Sequence, residues 1–179
     1  LSHVAMILDG NKRWAKKNKL SNLIGYKKGF ENIINIVEYC HDINLSNLTL
    51  FTLSSENFNR PSVNLIYDII YSNFSKLLNN VIKKNNIRIK VFGSKENIPK
   101  KIISIFNEAE EITKNNNLLN LNLAFNYGFK DEIKEVLKNY KNQIDFINLS
   151  NENDIKKLFF LGNIPDPDIL IRTGDTNRL

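Results

Sequence analysis

The sequence has one cysteine and two histidines among its 179 residues. One thiol cannot form a disulfide within the chain, and it gives no basis for a metal site made of cysteine ligands. Two histidines are too few for a histidine-rich metal site. No apolar run reaches the roughly 18 residues that a membrane-spanning helix needs. The sequence therefore predicts neither a disulfide scaffold nor a membrane span, and Cys40, on an apolar helical face, is expected in the core.

The rest of the composition is that of a folded domain with a positive charge. Apolar residues make up 42% of the chain and aromatic residues 10%, which excludes a disordered chain. The length fits one domain with a core of its own. The net charge of +6 and the pI near 9.3 suit an anionic partner: nucleic acid, an acidic membrane surface or a phosphorylated substrate. Lysines occur along the whole chain, so the total charge does not choose among these partners.

Strand-like and helix-like patterns alternate along the chain. Short apolar or β-branched runs predict five strands, at 4–8, 48–53, 87–92, 121–125 and 169–171. The third strand alternates with charged side chains and is expected near a sheet edge. Helical spacing predicts helices at 25–43, 63–81, 98–113, 131–140 and 150–161, the last with Ser150 as its N-cap. This order predicts an α/β fold, a mostly parallel central sheet with helices on both faces, in a single domain over residues 1–179.

The first strand leads into a turn and then into a basic helical segment. Asp9, Gly10 and Asn11 form the turn, and Lys12 and Arg13 begin the segment after it. Gly10 lets backbone approach a ligand closely, and Arg13 can grip a phosphate with two N–H groups. A carboxylate beside a phosphate requires a cation between them, and Mg²⁺ is commonly held in this way. The alternative is a plain turn followed by a solvated helix.

Further polar clusters follow the second, fourth and fifth predicted strands, at 54–60, 126–128 and 172–174. In a parallel sheet these strand ends lie at one edge, where ligands bind. The pooled side chains are two acids, several arginines and small polar groups: Asp9, Glu56, Arg13, Arg60, Arg172, Arg178, Ser54, Ser55 and Asn57. Such a set predicts a site for one or two diphosphates with Mg²⁺. The apolar stripe of the helix at 63–81 is either core or a lining for a substrate with an apolar tail.

Several segments of the sequence match one known family. They are the run from His3 to Ala15, the spacing to Gly25 and Gly29, and the segments 50–61, 126–128 and 168–174. In this order and spacing, over essentially the whole chain, the sequence resembles the cis-prenyltransferases, the undecaprenyl and dehydrodolichyl diphosphate synthases. The resemblance implies their fold, with an apolar tunnel beside the sheet lined by the helix at 63–81. It also implies transfer of isopentenyl diphosphate to an allylic diphosphate such as farnesyl diphosphate, with new cis double bonds.

The resemblance also assigns residues. Asp9 is implied to be catalytic and to hold Mg²⁺ against a diphosphate, and Asn57 to lie at the reacting centre, where it positions the proton acceptor. The substrates are implied to contact a larger set: Gly10, Asn11, Lys12, Arg13, Trp14, Ser54, Ser55, Glu56, Phe58, Arg60, Arg172 and Arg178. Asn22 and Tyr26 stand where family members usually carry Arg and His.

The resemblance has consequences for the whole protein. Family members continue beyond the position of Leu179 with a Glu that completes the Mg²⁺ site, so we expect the domain to be truncated at its C-terminus. A homodimer is implied. We expect a cytoplasmic enzyme loosely associated with a membrane, because its product is too apolar to leave into water.

Three other interpretations remain. A non-catalytic partner subunit would keep the fold and support a second chain. A phosphatase of the haloacid dehalogenase type also begins with an Asp after a strand, but it needs a second Asp where Asn11 stands. Nucleic-acid binding is disfavoured, because no basic run is interleaved with aromatic residues for stacking.

Overall fold

The computed structural model describes residues 1–84, 86–140 and 151–174. Strands and helices alternate, and a single 3₁₀ turn, Ser55–Asn57, follows the second strand. The strands are β1 His3–Ile7, β2 Asn47–Ser54, β3 Ile87–Phe92, β4 Leu119–Tyr127 and β5 Ile169–Arg172. The helices are α1 Asn11–Lys17, α2 Asn22–Asp42, α3 Val63–Lys84, α4 Lys100–Thr113, α5 Phe129–Tyr140 and α6 Glu152–Lys156.

The five strands form one sheet in the order β3-β4-β2-β1-β5, and every neighbouring pair is parallel. Met6 in β1 is aligned with Leu50 in β2 and with Ile171 in β5. The carboxyl ends of β1, β2 and β5 therefore lie side by side. The predicted parallel α/β fold is confirmed, and β3 is an edge strand as predicted.

The hydrophobic core lies between one face of the sheet and the helices α2, α3 and α4. Leu48, Leu50 and Leu121 point from the sheet into this core and are fully buried. Cys40 is buried there too, as predicted. The apolar stripe of α3 packs against the same face, with Phe74 and Leu77 among the buried residues. These positions of the stripe are therefore core in the structure.

The opposite face of the sheet is covered by aromatic rings and one buried carboxylate. Phe92 packs against Tyr127 and against Phe160, with ring centroids 5.3 and 5.7 Å apart. Glu132 of α5 is buried and accepts a hydrogen bond from the Tyr127 hydroxyl and one from the Phe160 amide, both at 2.6 Å. Burial, together with this carboxylate, raises the pKa of Tyr127 far above its usual range.

Helix α6 is shorter than predicted. It spans Glu152–Lys156 and is capped by Asn151, whose side chain accepts from the Asn153 amide; Ser150, the predicted cap, lies outside the described residues. Both backbone polar groups of Phe160 are taken by side chains from other elements, the amide by Glu132 and the carbonyl by Lys90. Because a continuing helix would use these groups itself, the predicted helix over 150–161 is wrong beyond Lys156.

Strand β1 is fixed to the segment that leads into β5. The Asp168 carboxylate accepts from the backbone amides of Ser2 and His3, at 2.6 and 2.9 Å. The buried His3 ring meets the Pro165 carbonyl through Nδ1 at 2.7 Å and the Thr49 hydroxyl through Nε2 at 2.8 Å. A carbonyl can only accept, so Nδ1 carries a proton. These bonds join the first and last described strands.

Candidate active site

Three turns lie at the carboxyl edge of the sheet, after the neighbouring strands β1, β2 and β5. The turn after β1 carries Asp9 and Gly10, and the turn after β5 carries Thr173 and Gly174. Strand β1 lies between β2 and β5. The strand ends that the sequence predicted at one edge are therefore adjacent in the structure.

The Asp9 carboxylate is bound by two arginines and a backbone amide. Its Oδ1 accepts from the Gly10 amide at 2.6 Å and lies 3.1 Å from the Arg13 guanidinium, and its Oδ2 lies 3.0 Å from the Arg172 guanidinium. Burial raises the pKa of Asp9, but the bonds from Arg172, Arg13 and Gly10 outweigh burial and leave the pKa below its usual value. The carboxylate is therefore ionised at neutral pH, and four of the predicted site residues are in direct contact.

The backbone of Asp9 is held by Thr173. The Thr173 Oγ1 accepts from the Asp9 amide at 2.9 Å and donates to the Asp9 carbonyl at 2.7 Å. Thr173 belongs to the predicted strand-end cluster that begins with Arg172, but the sequence alone assigns it no role. Its position immediately after Arg172 was the available signal, and the role follows from the register between β1 and β5.

Two glycines allow the turns after β1 and β5 to touch. Gly10 has φ +100° and Gly174 has φ +90°, conformations that favour glycine. A Cβ on Gly174 would lie 2.9 Å from the Arg13 guanidinium and 2.9 Å from the Asp9 carbonyl oxygen. A side chain at position 174 would therefore push into the arginine–carboxylate pair.

Helix α1 is held against α2 at two further glycines. A Cβ on Gly25 would lie 2.5 Å from the Asn11 carbonyl, and one on Gly29 would lie 2.6 Å from the Asn11 side-chain oxygen. The Asn11 side chain thus lies over Gly29. Elsewhere on α1, Lys12 is half-buried and Trp14 is 43% exposed.

The residues after β2 make a separate set of contacts. The Ser54 side chain caps the 3₁₀ turn by accepting from the Asn57 amide at 3.2 Å. Hydrogen bonds from the Ser55 hydroxyl and from Lys134 lower the pKa of Asp131 on α5. Ser55 is therefore tied to α5, the helix that follows β4, on the far side of β2 from β1.

The other predicted residues of this segment differ in exposure. Glu56 and Arg60 are exposed, and Asn57 is half-buried. Phe58 packs against the hydrophobic core. Arg178 lies outside the described residues, so its predicted role stays a prediction.

The Asp9 carboxylate suits a metal site that substrate and water oxygens complete. Within the described residues, no three His, Cys, Asp or Glu side chains come together as a metal cluster. Mg²⁺ commonly takes one or two carboxylates and completes its shell with water and substrate phosphate oxygens. Asp9, beside two guanidinium groups of the kind that can bind phosphate, fits such an ion, and the described residues do not offer a site built wholly from protein ligands.

Solved structures that superpose on this chain show the class of fold. The chain superposes on lavandulyl diphosphate synthase from Lavandula x intermedia, solved with dimethylallyl diphosphate, with a TM-score of 0.90 at 24% identity over 99% of this chain and 79% of that one. It matches a probable undecaprenyl diphosphate synthase from Campylobacter jejuni with a TM-score of 0.70 at 31% identity, over 100% of this chain and 78% of that one. The fold is that of the cis-prenyltransferases.

Sequence comparison gives the family. Residues 7–179 match the family model described as "Putative undecaprenyl diphosphate synthase". An isoprenyl transferase from Clostridium acetobutylicum is 42% identical over 99% of this chain and 72% of its own length. A tritrans,polycis-undecaprenyl-diphosphate synthase (geranylgeranyl-diphosphate specific) from Pyrococcus furiosus is 35% identical over 99% of this chain and 70% of its own. The chain belongs to the undecaprenyl diphosphate synthase family of prenyltransferases.

Proposed function

We propose that the protein is a cis-prenyltransferase that condenses isopentenyl diphosphate with an allylic diphosphate such as farnesyl diphosphate, forming a cis double bond at each addition. The observation that carries the proposal is the contact of Asp9 with Arg13 and Arg172 at the carboxyl edge of the sheet. Family membership supports it. The product we propose is a long-chain polyprenyl diphosphate such as undecaprenyl diphosphate.

Arg13 and Arg172 are the cations that we assign to the two diphosphates. A guanidinium group presents paired N–H donors that match phosphate oxygens. Both groups bind Asp9 in the structure, so an entering diphosphate competes with Asp9 for the same donors. As the allylic C–O bond breaks, negative charge grows on the departing diphosphate, and fixed cations stabilise that charge.

Asp9 is the residue that we assign to Mg²⁺. Its pKa is lowered, so it is ionised at neutral pH, as a metal ligand must be. When bound, the ion would neutralise charge on the departing diphosphate. Displacement of Arg13 and Arg172 toward the phosphates would leave the Asp9 oxygens available to it.

Asn57 is the residue that we assign to the proton-transfer step. The terminal alkene carbon of isopentenyl diphosphate bonds to the allylic carbon that loses diphosphate, which leaves positive charge on the tertiary carbon of the former alkene. The CH₂ group on the other side of that tertiary carbon then loses a proton, and its electron pair forms the new double bond. An amide is a poor base, so we assign the diphosphate as the proton acceptor and Asn57 as the residue that positions it. Asn57 lies in the half-buried turn after β2, the strand beside β1.

Partly buried apolar residues offer a path for the growing chain. They surround the core near the site end of the sheet and of α2 and α3: Met6, Leu8, Phe30, Ile33, Phe58 and Ile66. Phe74 and Leu77 lie further along α3 and are packed in the core. We propose that the prenyl chain enters between the ends of α2 and α3, and that deeper α3 residues limit its length.

The assembly and location of the enzyme follow from the same proposal. We propose a homodimer, and the exposed apolar side chains of β5 support it, since Ile169, Leu170 and Ile171 are 46, 53 and 41% exposed. None of the described helices is both long and apolar enough to cross a bilayer. We propose a cytoplasmic enzyme that meets the membrane through its lipid product.

The experiment is a condensation assay with product sizing. The chain, and a version carrying any further residues that its gene encodes, are incubated with farnesyl diphosphate, radiolabelled isopentenyl diphosphate and Mg²⁺. We expect extractable long-chain product, lost with EDTA and reduced at least about 100-fold by Asp9→Ala. Glu108→Ala, at an exposed position on α4, is the matched control and should leave product unchanged.

Two outcomes would overturn the proposal. Folded chains of both lengths that give no product exclude catalysis by this protein. If either chain instead raises the activity of a second synthase, and Asp9→Ala does not alter that effect, the protein is a partner subunit.

A further inference from the structure

The positive charge of the protein is concentrated in one segment. Residues 10–30 carry seven lysines and arginines and no Asp or Glu, so this segment alone exceeds the +6 net charge of the whole chain. It comprises α1, the following turn and the first part of α2. We call it the basic hairpin. Although lysines are spread along the sequence, the rest of the chain is close to neutral.

The basic hairpin also exposes large apolar side chains. Trp14 is 43% exposed, and Leu20 and Ile24 are each 40% exposed. The close packing at Gly25 and the fully buried Ala15 hold the two helices together. A packed pair of helices and the turn between them therefore present these apolar side chains, and each of them leaves about two fifths of its surface exposed.

Most of the lysines in the hairpin have no carboxylate partner. Arg13 pairs with Asp9, and Lys28 pairs with Glu31 at 2.7 Å. Within the described part of the chain, the other five form no ion pair: Lys12, Lys16, Lys17, Lys19 and Lys27. Such a surface is electrostatically complementary to a negative one.

We propose that the basic hairpin is a docking surface for an anionic lipid bilayer. Lysines near a negatively charged membrane surface are each attracted to it, and tryptophan favours the boundary between headgroups and acyl chains. Leu20 and Ile24 can insert into that boundary, as apolar residues of interfacial helices do. Nucleic acid fits less well, because aliphatic side chains do not stack on bases and Trp14 is the single exposed aromatic ring of the hairpin.

The docking surface adjoins the candidate active site. Arg13 belongs to α1 and binds Asp9, so the hairpin flanks the turn that carries the carboxylate. A bilayer bound there would lie next to the place where an apolar product is made. Bilayer binding itself is independent of the proposed reaction, and its test needs no substrate.

The test measures binding of the whole chain to vesicles. Trp14 is the sole tryptophan of the protein, so its fluorescence reports directly on the hairpin. Vesicles of phosphatidylcholine with about 30% phosphatidylglycerol should shift the emission to the blue, and brominated acyl chains should quench it. Pure phosphatidylcholine should give weak binding, and salt should reduce binding to the anionic vesicles.

Two triple variants separate the effect of where the lysines lie from the effect of the net charge of the protein. The first triple variant combines Lys16→Gln, Lys17→Gln and Lys19→Gln. It should weaken vesicle binding on the order of 100-fold, because each lysine near an anionic surface contributes a factor of roughly five. The control replaces three lysines of α5 and lowers net charge equally: Lys130→Gln, Lys134→Gln and Lys138→Gln. It should change binding little. Leu20→Ser with Ile24→Ser should remove the part of the binding that survives high salt, and circular dichroism checks the folding of each variant.

Clear results would overturn the proposal. Equal loss of binding in the two triple variants would mean that net charge, and not the hairpin, governs adsorption. An unchanged Trp14 emission on saturating anionic vesicles would exclude insertion of the hairpin. Tight binding of a single-stranded oligonucleotide that displaces vesicles would assign the surface to nucleic acid.

Discussion

The Thr173 hydroxyl binds both polar backbone groups of Asp9, accepting from its amide at 2.9 Å and donating to its carbonyl at 2.7 Å. The backbone from which the Asp9 carboxylate extends is therefore held in place. Its direction is then set by the two arginines and the Gly10 amide. Thr173 acts on the site through Asp9 and is a positioning residue.

Thr173→Val should lower kcat/KM about tenfold or more, because the isosteric side chain cannot make either bond. Thr173→Ser keeps the hydroxyl and should restore most of the activity. A titration of Mg²⁺ supplies the second readout, since a displaced Asp9 should raise the concentration needed for half-maximal rate in the valine variant alone. Wild-type kinetics in Thr173→Val would contradict the positioning role.

The stability contributed by Asp9 should depend on pH. Its pKa is lower in the folded chain than the value of about 3.9 in an unfolded one, so the unfolded state binds more protons at acid pH. The stabilisation is therefore complete above about pH 5 and is lost as the pH falls through the folded pKa. The side chain is 34% exposed, so the effect should be less than about 1 kcal/mol.

Urea unfolding of the wild type and Asp9→Asn at several pH values checks this dependence. The difference in the free energy of unfolding should be present at pH 7 and should shrink toward zero near pH 2.5. A difference that is the same at both ends of the range would mean that Asp9 contributes by shape and not by charge.

Glu132→Leu should destabilise the fold by about 2–4 kcal/mol. The change leaves the Tyr127 hydroxyl and the Phe160 amide without their acceptor, and a buried polar group left unsatisfied costs about 1–3 kcal/mol. Glu135→Leu, at an exposed position on the same helix, is the control and should stay within about 0.5 kcal/mol. Equal unfolding midpoints for the two variants would show that the buried carboxylate is not needed.

Tyr67→Phe should raise the free energy of unfolding by about 1 kcal/mol. The Tyr67 hydroxyl is buried in α3, and among the described residues it has no hydrogen-bond partner. Removing a buried hydroxyl that lacks a partner relieves a desolvation cost. Thermal unfolding checks the sign, and a loss of stability would show that the hydroxyl is satisfied in solution.

The parallel sheet was predictable because its evidence is local. Each strand is a short apolar run, and the runs alternate with helical spacing, so the parallel order follows from the alternation. The position of Asp9 and Arg172 at the same sheet edge followed from one further rule, that parallel strand ends share an edge, whereas their ion pair is seen only in the structure. Cys40 was predictable as core from helical spacing alone.

Other features needed information that a linear pattern does not hold. The hydrogen bonds of Thr173 depend on the register between β1 and β5. The early end of α6 depends on Glu132, which binds Phe160 from another helix. The bond between Ser55 and Asp131 joins the 3₁₀ turn after β2 to α5. The charge of the basic hairpin is visible in the sequence, but the exposure of Leu20 and Ile24 is not.

The pairing of β1 with β5 sets the order in which the protein can mature. Val4 is aligned with Ile169, so β1, which leads to Asp9, leaves the ribosome well before β5, which carries Arg172. At about 5–20 residues per second, β1 waits roughly 10–30 s for its neighbour. During that time β1 can pair with β2, while its other edge stays open. A nascent chain therefore has a nearly complete sheet before it has the arginine–carboxylate pair, and chaperones that cover an open edge should act on it in that interval.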